Sequence, residues 1–277
     1  DEDPTLFYSG SSHITYNEEE LKHTDKIDNL GISFIYESTY TQGDSVDTYY
    51  IYLSYGQNEV QAVSLDNYNL NVTRGTLTVN KLHISATVDI NNQSFVYDGD
   101  NIYNRGSKVG ATATANGLYN NDQIEFVYSY EGINDTQYIE SSTAPINAGE
   151  YQVTVSIKPD TQAYINYALS TTIAKFMITR ASLTINIKDA VITYGDADPT
   201  INFDDASYIA YDEEQLQGTD TIDSIGLDFT FSSNYTAGDN ALGQYYIYLS
   251  TYGEQEVVQA DIQNYTLTIN AGVLTVN

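Results

Sequence analysis

The feature that most constrains this chain is that it repeats itself. Asp1-Glu2-Asp3-Pro4-Thr5 returns as Asp196-Ala197-Asp198-Pro199-Thr200, and Tyr49-Tyr50-Ile51-Tyr52-Leu53-Ser54 returns as Tyr245-Tyr246-Ile247-Tyr248-Leu249-Ser250. Glu18-Glu19-x-Leu21-x-x-Thr24-Asp25-x-Ile27-Asp28 has its copy at Glu213-Glu214-x-Leu216-x-x-Thr219-Asp220-x-Ile222-Asp223. The offset starts at 195 residues (Asp1 to Asp196) and reaches 197 (Gly75 to Gly272), so only two residues have been inserted along the way. A sequence with such self-similarity folds as successive copies of one small unit. The middle of the chain holds a more distant copy. Asn67-Tyr68-x-Leu70, Asn166-Tyr167-x-Leu169 and Asn264-Tyr265-x-Leu267 recur at intervals of 99 and 98 residues. Each is followed by an apolar strand, at Leu77-Thr78-Val79, Phe176-Met177-Ile178 and Leu274-Thr275-Val276. The three units run over 1–80, 81–180 and 181–277. After the apolar strands of the first two come a basic residue and another strand, Lys81-Leu82-His83-Ile84 and Arg180-Ala181-Ser182-Leu183-Thr184-Ile185. The first has no such opening strand, so the chain reads as a piece cut from a longer array, which also accounts for the lack of a signal peptide at its start.

Within each unit the pattern is one of strands. Ile32-Ser33-Phe34-Ile35-Tyr36, Leu227-Asp228-Phe229-Thr230-Phe231 and Val153-Thr154-Val155-Ser156-Ile157 alternate with the period of two of half-buried strands. The abundance of Tyr, Val, Ile and Thr suits a pleated, half-covered surface. One short helix is expected in each outer unit. Asn17 with Glu20, and Asp212 with Gln215, have capping-box spacing, with Leu21 and Leu216 as apolar anchors and Gly31 and Gly226 beyond the helix end. The middle unit lacks that signal and reads as a sandwich-like β variant. One to four residues join the last strand of a unit to the first strand of the next. Linkers so short cannot behave as flexible coils, so the expectation is an elongated, stiff, monomeric rod.

Composition narrows the function. With 38 acidic against 10 basic side chains, a net charge of -28, the surface repels phosphate backbones and anionic lipid. No nucleic-acid partner and no membrane insertion are expected, since no apolar run approaches the roughly 20 residues of a spanning helix. The absence of Cys removes disulfides, thiolate nucleophiles and Cys-ligated zinc. No Gly-x-Ser-x-Gly, His-Glu-x-x-His or phosphate-binding glycine loop is present.

At Leu183-Thr184-Ile185, Tyr194-Gly195-Asp196-x-Asp198-Pro199, Asn264-Tyr265-x-Leu267 and Gly272-x-Leu274-Thr275-Val276, the third unit resembles the MBG-type (YGX) repeats of bacterial surface adhesins. The middle unit, with Tyr97-Asp98-Gly99 and Ala148-Gly149-Glu150-Tyr151-x-Val153, resembles a related variant. Such repeats occur in large Gram-positive proteins, notably the mucus-binding proteins of lactobacilli. The resemblance implies a mostly β, α+β fold built as a tandem array of β-grasp-like modules, each a small sheet with one short helix. It further implies secretion, an extracellular parent protein attached to the cell wall, and host mucin or a mucus glycoprotein as partner. It carries no catalytic residues. The function this suggests is a non-enzymatic adhesin segment making weak, polyvalent contacts. A pure spacer, and accessory modules of a carbohydrate-active surface enzyme, remain as alternatives.

The candidate site residues follow from chemistry. Tyr49, Tyr50 and Tyr52, mirrored by Tyr245, Tyr246 and Tyr248, alternate along one strand, so some face the core and some are exposed and could contact a ligand, or Tyr simply replaces Phe in a thin core with wet edges. An exposed Tyr offers an apolar ring and a hydroxyl to a glycan or protein. Asp98, Asp100, Asp196 and Asp198 sit in loops at spacings that could supply oxygens to calcium, although no EF-hand loop is present and Asp also belongs in turns for backbone reasons. No other cofactor is expected. Paired carboxylates for glycoside hydrolysis have no accompanying Trp-lined cleft signal. His13 and His23 become Tyr208 and Gly218 in the third unit, which argues against a repeated metal or catalytic role, and His83 is read with them as a surface or strand histidine. Lys188, with Asn270 and Asn277 flanking the last strand, has the residue types of an intramolecular isopeptide bond or, more plainly, of an ordinary surface lysine.

Overall fold

The computed structural model describes residues 11–33, 35–55, 58–90, 93–100, 111–196, 206–227, 230–250 and 256–277. The fold is mostly β. Two compact units are distinguished: Asp1–Ser85 with Gly117–Glu125 and Ile157–Ser170, and Ala86–Asn116 with Phe126–Ser156 and Thr171–Asn277. The middle repeat divides its strands between the two.

The third repeat shows the complete pattern. One sheet runs in the order Ala190–Ile192, Gly272–Val276, Tyr245–Leu249, Phe231–Ser233; the other runs Ile209–Tyr211, Ala181–Ile187, Tyr265–Asn270, Gln259–Asp261. Two chain segments serve both sheets. Tyr265–Asn270 continues through Ala271 into Gly272–Val276, and Ala181–Ile187 continues through Lys188 and Asp189 into Ala190–Ile192. The crossing is tight: a Cβ on Gly272 would lie 2.5 Å from the Lys188 carbonyl oxygen and 2.8 Å from that of Ile187. Alternate residues of both sheets, including Leu183, Ile185, Ile247, Leu267 and Leu274, are 0–1 % exposed and join one core. The period-two alternation of the sequence thus becomes burial of every second side chain.

The same sheet recurs upstream. In the middle repeat, Phe126–Gly132, Gly149–Ile157, Thr172–Thr179 and Gln93–Val96 pair in the order of the third repeat's first sheet, and the last pair is again parallel. Val153, Val155 and Ile157 are buried as their alternation predicts. In the first repeat, Ile35–Ser38 pairs with Thr48–Tyr55, which pairs with Gly75–Thr78. Among the described residues the expected strand at 32–36 is seen as Ile35–Ser38 and that at 227–231 as Phe231–Ser233; Phe34, Asp228 and Phe229 lie outside the described residues.

The helix expectation needs correction. Glu18–Glu20 and Glu213–Gln215 are single turns of 3-10 helix, and the α-helix among the described residues is Gln162–Asn166 in the middle repeat. The caps themselves are real: Asn17 Oδ1 accepts from the Glu19 N–H at 3.1 Å and Asp212 Oδ1 from the Glu214 N–H at 3.0 Å. What fails is propagation. Leu21 and Leu216 are extended, at ψ 139 and 137, and one hydrogen-bonded turn does not repay nucleation. The reciprocal half of the capping box is also absent. Gln215 Oε1 instead accepts from the Thr184 N–H at 2.8 Å, tying this turn to the Ala181–Ile187 strand, whereas Glu20 accepts from the Asn17 side-chain amide at 3.3 Å. The middle repeat's helix is capped by Thr161, whose hydroxyl accepts from the Tyr164 N–H at 3.2 Å.

Candidate functional site: tyrosine faces and a repeated tyrosine clamp

The six candidate tyrosines separate by strand geometry. Tyr49 and Tyr245 turn inward: the Tyr49 hydroxyl donates to the Ser45 carbonyl at 2.7 Å and the Tyr245 hydroxyl to the Asn240 carbonyl at 2.9 Å. Each also packs edge-on against a second ring, Tyr40 or Tyr235. The middle repeat does the same with Tyr151, whose hydroxyl donates to the Asn147 carbonyl at 2.7 Å. Tyr50 and Tyr246, one position on, are exposed; Tyr52 and Tyr248 share that outer face and are half-buried. Of the six candidates, these two pairs face outward.

The first repeat's outer face carries a charged frame. The Arg74 guanidinium lies 5.0 Å from the centroid of the Tyr50 ring and meets Glu59 through two hydrogen bonds, Nε to Oε1 at 2.6 Å and Nη2 to Oε2 at 2.5 Å. The planar fork holds the Glu59 carboxyl below the usual range and raises Arg74. The Tyr52 hydroxyl donates to Glu37 at 3.2 Å, and partial desolvation followed by that carboxylate raises its pKa. The third repeat has Ala271 where Arg74 stands, so its tyrosines lack this frame.

A second tyrosine set occurs in all three repeats. Tyr68, Tyr167 and Tyr265, from the Asn-Tyr motif, each accept from one backbone N–H and donate to one carboxylate. The pairs are Lys22 N–H at 2.8 Å with Asp25 at 2.8 Å, Tyr119 N–H at 3.2 Å with Asp122 at 2.5 Å, and Gln217 N–H at 2.8 Å with Asp220 at 2.7 Å. Each clamp closes a turn in which the Asp N–H returns to the carbonyl of that first residue. The next residue, His23, Asn120 or Gly218, has positive φ. That is why histidine and glycine exchange there: the position asks for left-handed backbone, not for an imidazole.

The Asn of the motif reaches the repeat before it. Asn166 Oδ1 accepts from the Val46 N–H at 3.1 Å, and Asn264 Oδ1 accepts from the Ala148 N–H at 2.9 Å. At the second of these joints Tyr97 also donates to Asp220 at 2.9 Å and lies edge-on to Tyr265. Burial, then the Asp220 hydrogen bond, pushes the Tyr97 hydroxyl up to about 12, and burial raises Tyr265 as well. Gly99 and Gly218 meet here backbone to backbone; a Cβ on Gly99 would lie 2.6 Å from the Gly218 Cα. The sequence flagged the Asn-Tyr motif and the repeated Thr-Asp pair but not that they touch, because 43 to 45 residues separate them.

The acidic candidates are occupied in turns. Asp98 Oδ1 accepts from the Asp100 N–H at 3.1 Å, and Asp196 Oδ2 from the Thr193 N–H at 2.8 Å; Asp198 lies outside the described residues. Among the described residues no group of three or more His, Asp or Glu is arranged to hold a metal ion. The Lys188 ammonium donates to the Ser207 carbonyl at 2.6 Å and the Asn270 amide to Asn186 at 2.8 Å, so neither contact joins Lys188 to Asn270. His13 lies edge-on to Tyr36, and His83 is exposed on the Leu82–Asp89 strand.

Residues 183–275 match the family model of the MBG domain, YGX type. The third repeat is an MBG domain. The match spans its opening strand, both sheets and the Asn264-Tyr265 clamp. A comparison with curated proteins finds no match to the chain.

Proposed function

We propose that the chain is a non-enzymatic display segment of an extracellular, wall-attached bacterial adhesin. On this reading its repeats present outward tyrosine pairs to the glycans of host mucus glycoprotein. The MBG domain supports a surface adhesin-type module. The observation that carries the ligand reading is the outward placement of Tyr50 with Tyr52 and Tyr246 with Tyr248 on equivalent strands of the outer repeats, while Tyr49 and Tyr245 serve the interior. Tyr50 and Tyr246 keep an exposed ring at the same strand position in both copies. Aromatic faces beside Glu, Gln and Arg suit sugar rings and their hydroxyls. Each contact is weak, and several repeats engaged together supply avidity.

The charge of -28 opposes an acidic mucin, so attraction is short-range. Binding to immobilised mucin should therefore be saturable and hold or strengthen as salt rises. Replacing Tyr50, Tyr52, Tyr246 and Tyr248 together with Ser should abolish it. No saturable signal above that of an unrelated acidic protein leaves the chain a spacer; release of reducing sugar from mucin glycans restores the enzyme-accessory reading.

A further inference from the structure

The outer repeats set a tyrosine pair at the same strand positions but frame it with different chemistry. Thr76 stands opposite Tyr50, and Val273 opposite Tyr246. Glu37 stands opposite Tyr52, and Ser232 opposite Tyr248. Arg74 and Gln61 of the first repeat become Ala271 and Val258 of the third. Val258 and Val273 are 61 and 48 % exposed, so the third face is apolar where the first is polar. The rings themselves are similarly open, at 46 % for Tyr50 and 42 % for Tyr246. Openness at Tyr50 therefore belongs to the outer face of the sheet in both copies, and the frame is what differs.

The first face is fixed before any ligand arrives. The Arg74 guanidinium lies 5.0 Å from the Tyr50 ring centroid, and Glu59 holds it through both carboxylate oxygens. The Gln61 side chain bonds to Glu59 in turn, and the Tyr52 hydroxyl donates to Glu37 at 3.2 Å. The Tyr246 hydroxyl, by contrast, makes a long contact to Gln244 at 3.5 Å. A ring that is already oriented loses less freedom on binding. Arg74 gives two N–H groups to Glu59, and its remaining ones are donors to a further oxygen. Glu37 and Glu59 have lone pairs left to accept from hydroxyls. An anionic ligand would meet two carboxylates and one cation whose charge is already matched, in a chain of net charge -28.

We propose that this outer face of the first repeat is a subsite selective for an uncharged pyranose, with Arg74 as its specificity-determining residue; the proposal rests on the glycan-binding reading above. The apolar face of the sugar stacks on the side of the Tyr50 ring that Arg74 leaves uncovered. Its hydroxyls donate to Glu37 and Glu59 and accept from the remaining Arg74 N–H groups. The third repeat, with Ala271, Val258 and Val273 at the matching positions, does not discriminate in this way.

N-acetyllactosamine and its sialylated form, titrated separately into the whole chain carrying isotope-labelled tyrosine rings, test this by NMR. The neutral sugar should shift the Tyr50 and Tyr52 signals saturably, and the sialylated form should bind there at least about fivefold more weakly. Arg74→Ala should weaken the neutral sugar at Tyr50 at least about fivefold and leave the response of Tyr246 unchanged. Arg74→Lys keeps the charge without the planar fork and should not restore binding. Equal or tighter binding of the sialylated form at Tyr50, no Tyr50 shift up to about 10 mM neutral sugar, or an Arg74→Ala chain that binds as before overturns the proposal. Should Arg74→Ala disturb the sheet, the comparison of the two sugars on the unmodified chain still decides. Mucin capture is read in parallel. Capture with no Tyr50 shift strikes the subsite alone, whereas a Tyr50 shift with no capture strikes the adhesin reading and leaves the subsite.

Discussion

The first and third repeats share the strand Tyr-Tyr-Ile-Tyr-Leu-Ser, the capped 3-10 turn and the Asn-Tyr clamp, yet they differ in what those residues rest on. In the third, Leu267 and Ile247 are 0 and 1 % exposed; in the first, the matching Leu70 and Ile51 are half-buried. Tyr265 is 1 % exposed, and its counterpart Tyr68 makes the same two hydrogen bonds at an exposed site. The difference lies in neighbours, namely the Ala181–Ile187 strand on one side and the middle repeat's Tyr97 and Ala148 on the other. Equal sequence therefore yields unequal stabilisation, because burial is a property of what covers a side chain.

The comparison breaks most directly at the paired leucines. Leu267→Ala should destabilise its unit by about 2–5 kcal/mol, since it removes buried methyl groups and leaves a cavity in a closed core. Leu70→Ala should cost below about 1 kcal/mol, because Leu70 is only half-buried. Denaturant unfolding followed by hydrogen exchange on each unit checks this, and equal costs would show that the first repeat's core is as closed as the third's.

The joint is the next test. Gly99→Ala places a Cβ against the Gly218 backbone at a positive φ and should cost about 1–3 kcal/mol, while Gly226→Ala, with nothing within 4 Å, should cost about 1 kcal/mol from φ alone. Tyr265→Phe should cost about 1–3 kcal/mol by leaving the partly buried Asp220 and the Gln217 N–H short of a partner, and Tyr68→Phe distinctly less, since water replaces the hydroxyl there. Thermal unfolding of the four variants ranks them; a Tyr68→Phe cost matching that of Tyr265→Phe would mean that covering the clamp adds nothing.

The smallest effect is a titration. Tyr97 is neutral when protonated, and its folded pKa of about 12 exceeds the ordinary value of 10.0. Its contribution to stability is complete below pH 10 and is lost as pH rises from there through 12. Tyrosinate absorbance, taken as the difference between the chain and its Tyr97→Phe variant, should show ionisation near pH 12. In Asp220→Asn it should move down toward the ordinary value, with burial still holding it above. A Tyr97 that titrates near pH 10 would mean the joint is open to water.

Much of this was legible in the residues. The repeat, the strands and the Asn-Tyr motif are local or periodic, and the alternation at Val153, Val155 and Ile157 maps directly onto burial. The 3-10 turns were misjudged as helices because a capping box reports where a helix could start, not how far it propagates. The inward and outward roles of Tyr49 and Tyr50 were foreseeable as an alternation but not in phase, since the phase is set by which face the core occupies. Arg74 does not recur in the third repeat, and its Tyr50 and Glu59 partners meet it only across paired strands, so no local pattern marks it.

By itself the sequence determined that the chain is built of copies, that the copies are β, and that the third is of the MBG type, since period and motif need only neighbours along the chain. Tertiary structure alone decided that Asp25, Asp122 and Asp220 lock the three motif tyrosines and that Tyr97 is shared between two repeats. Those features depend on hydrogen bonds and burial between residues far apart in the chain, and one sequence motif can be covered in one copy and open in another.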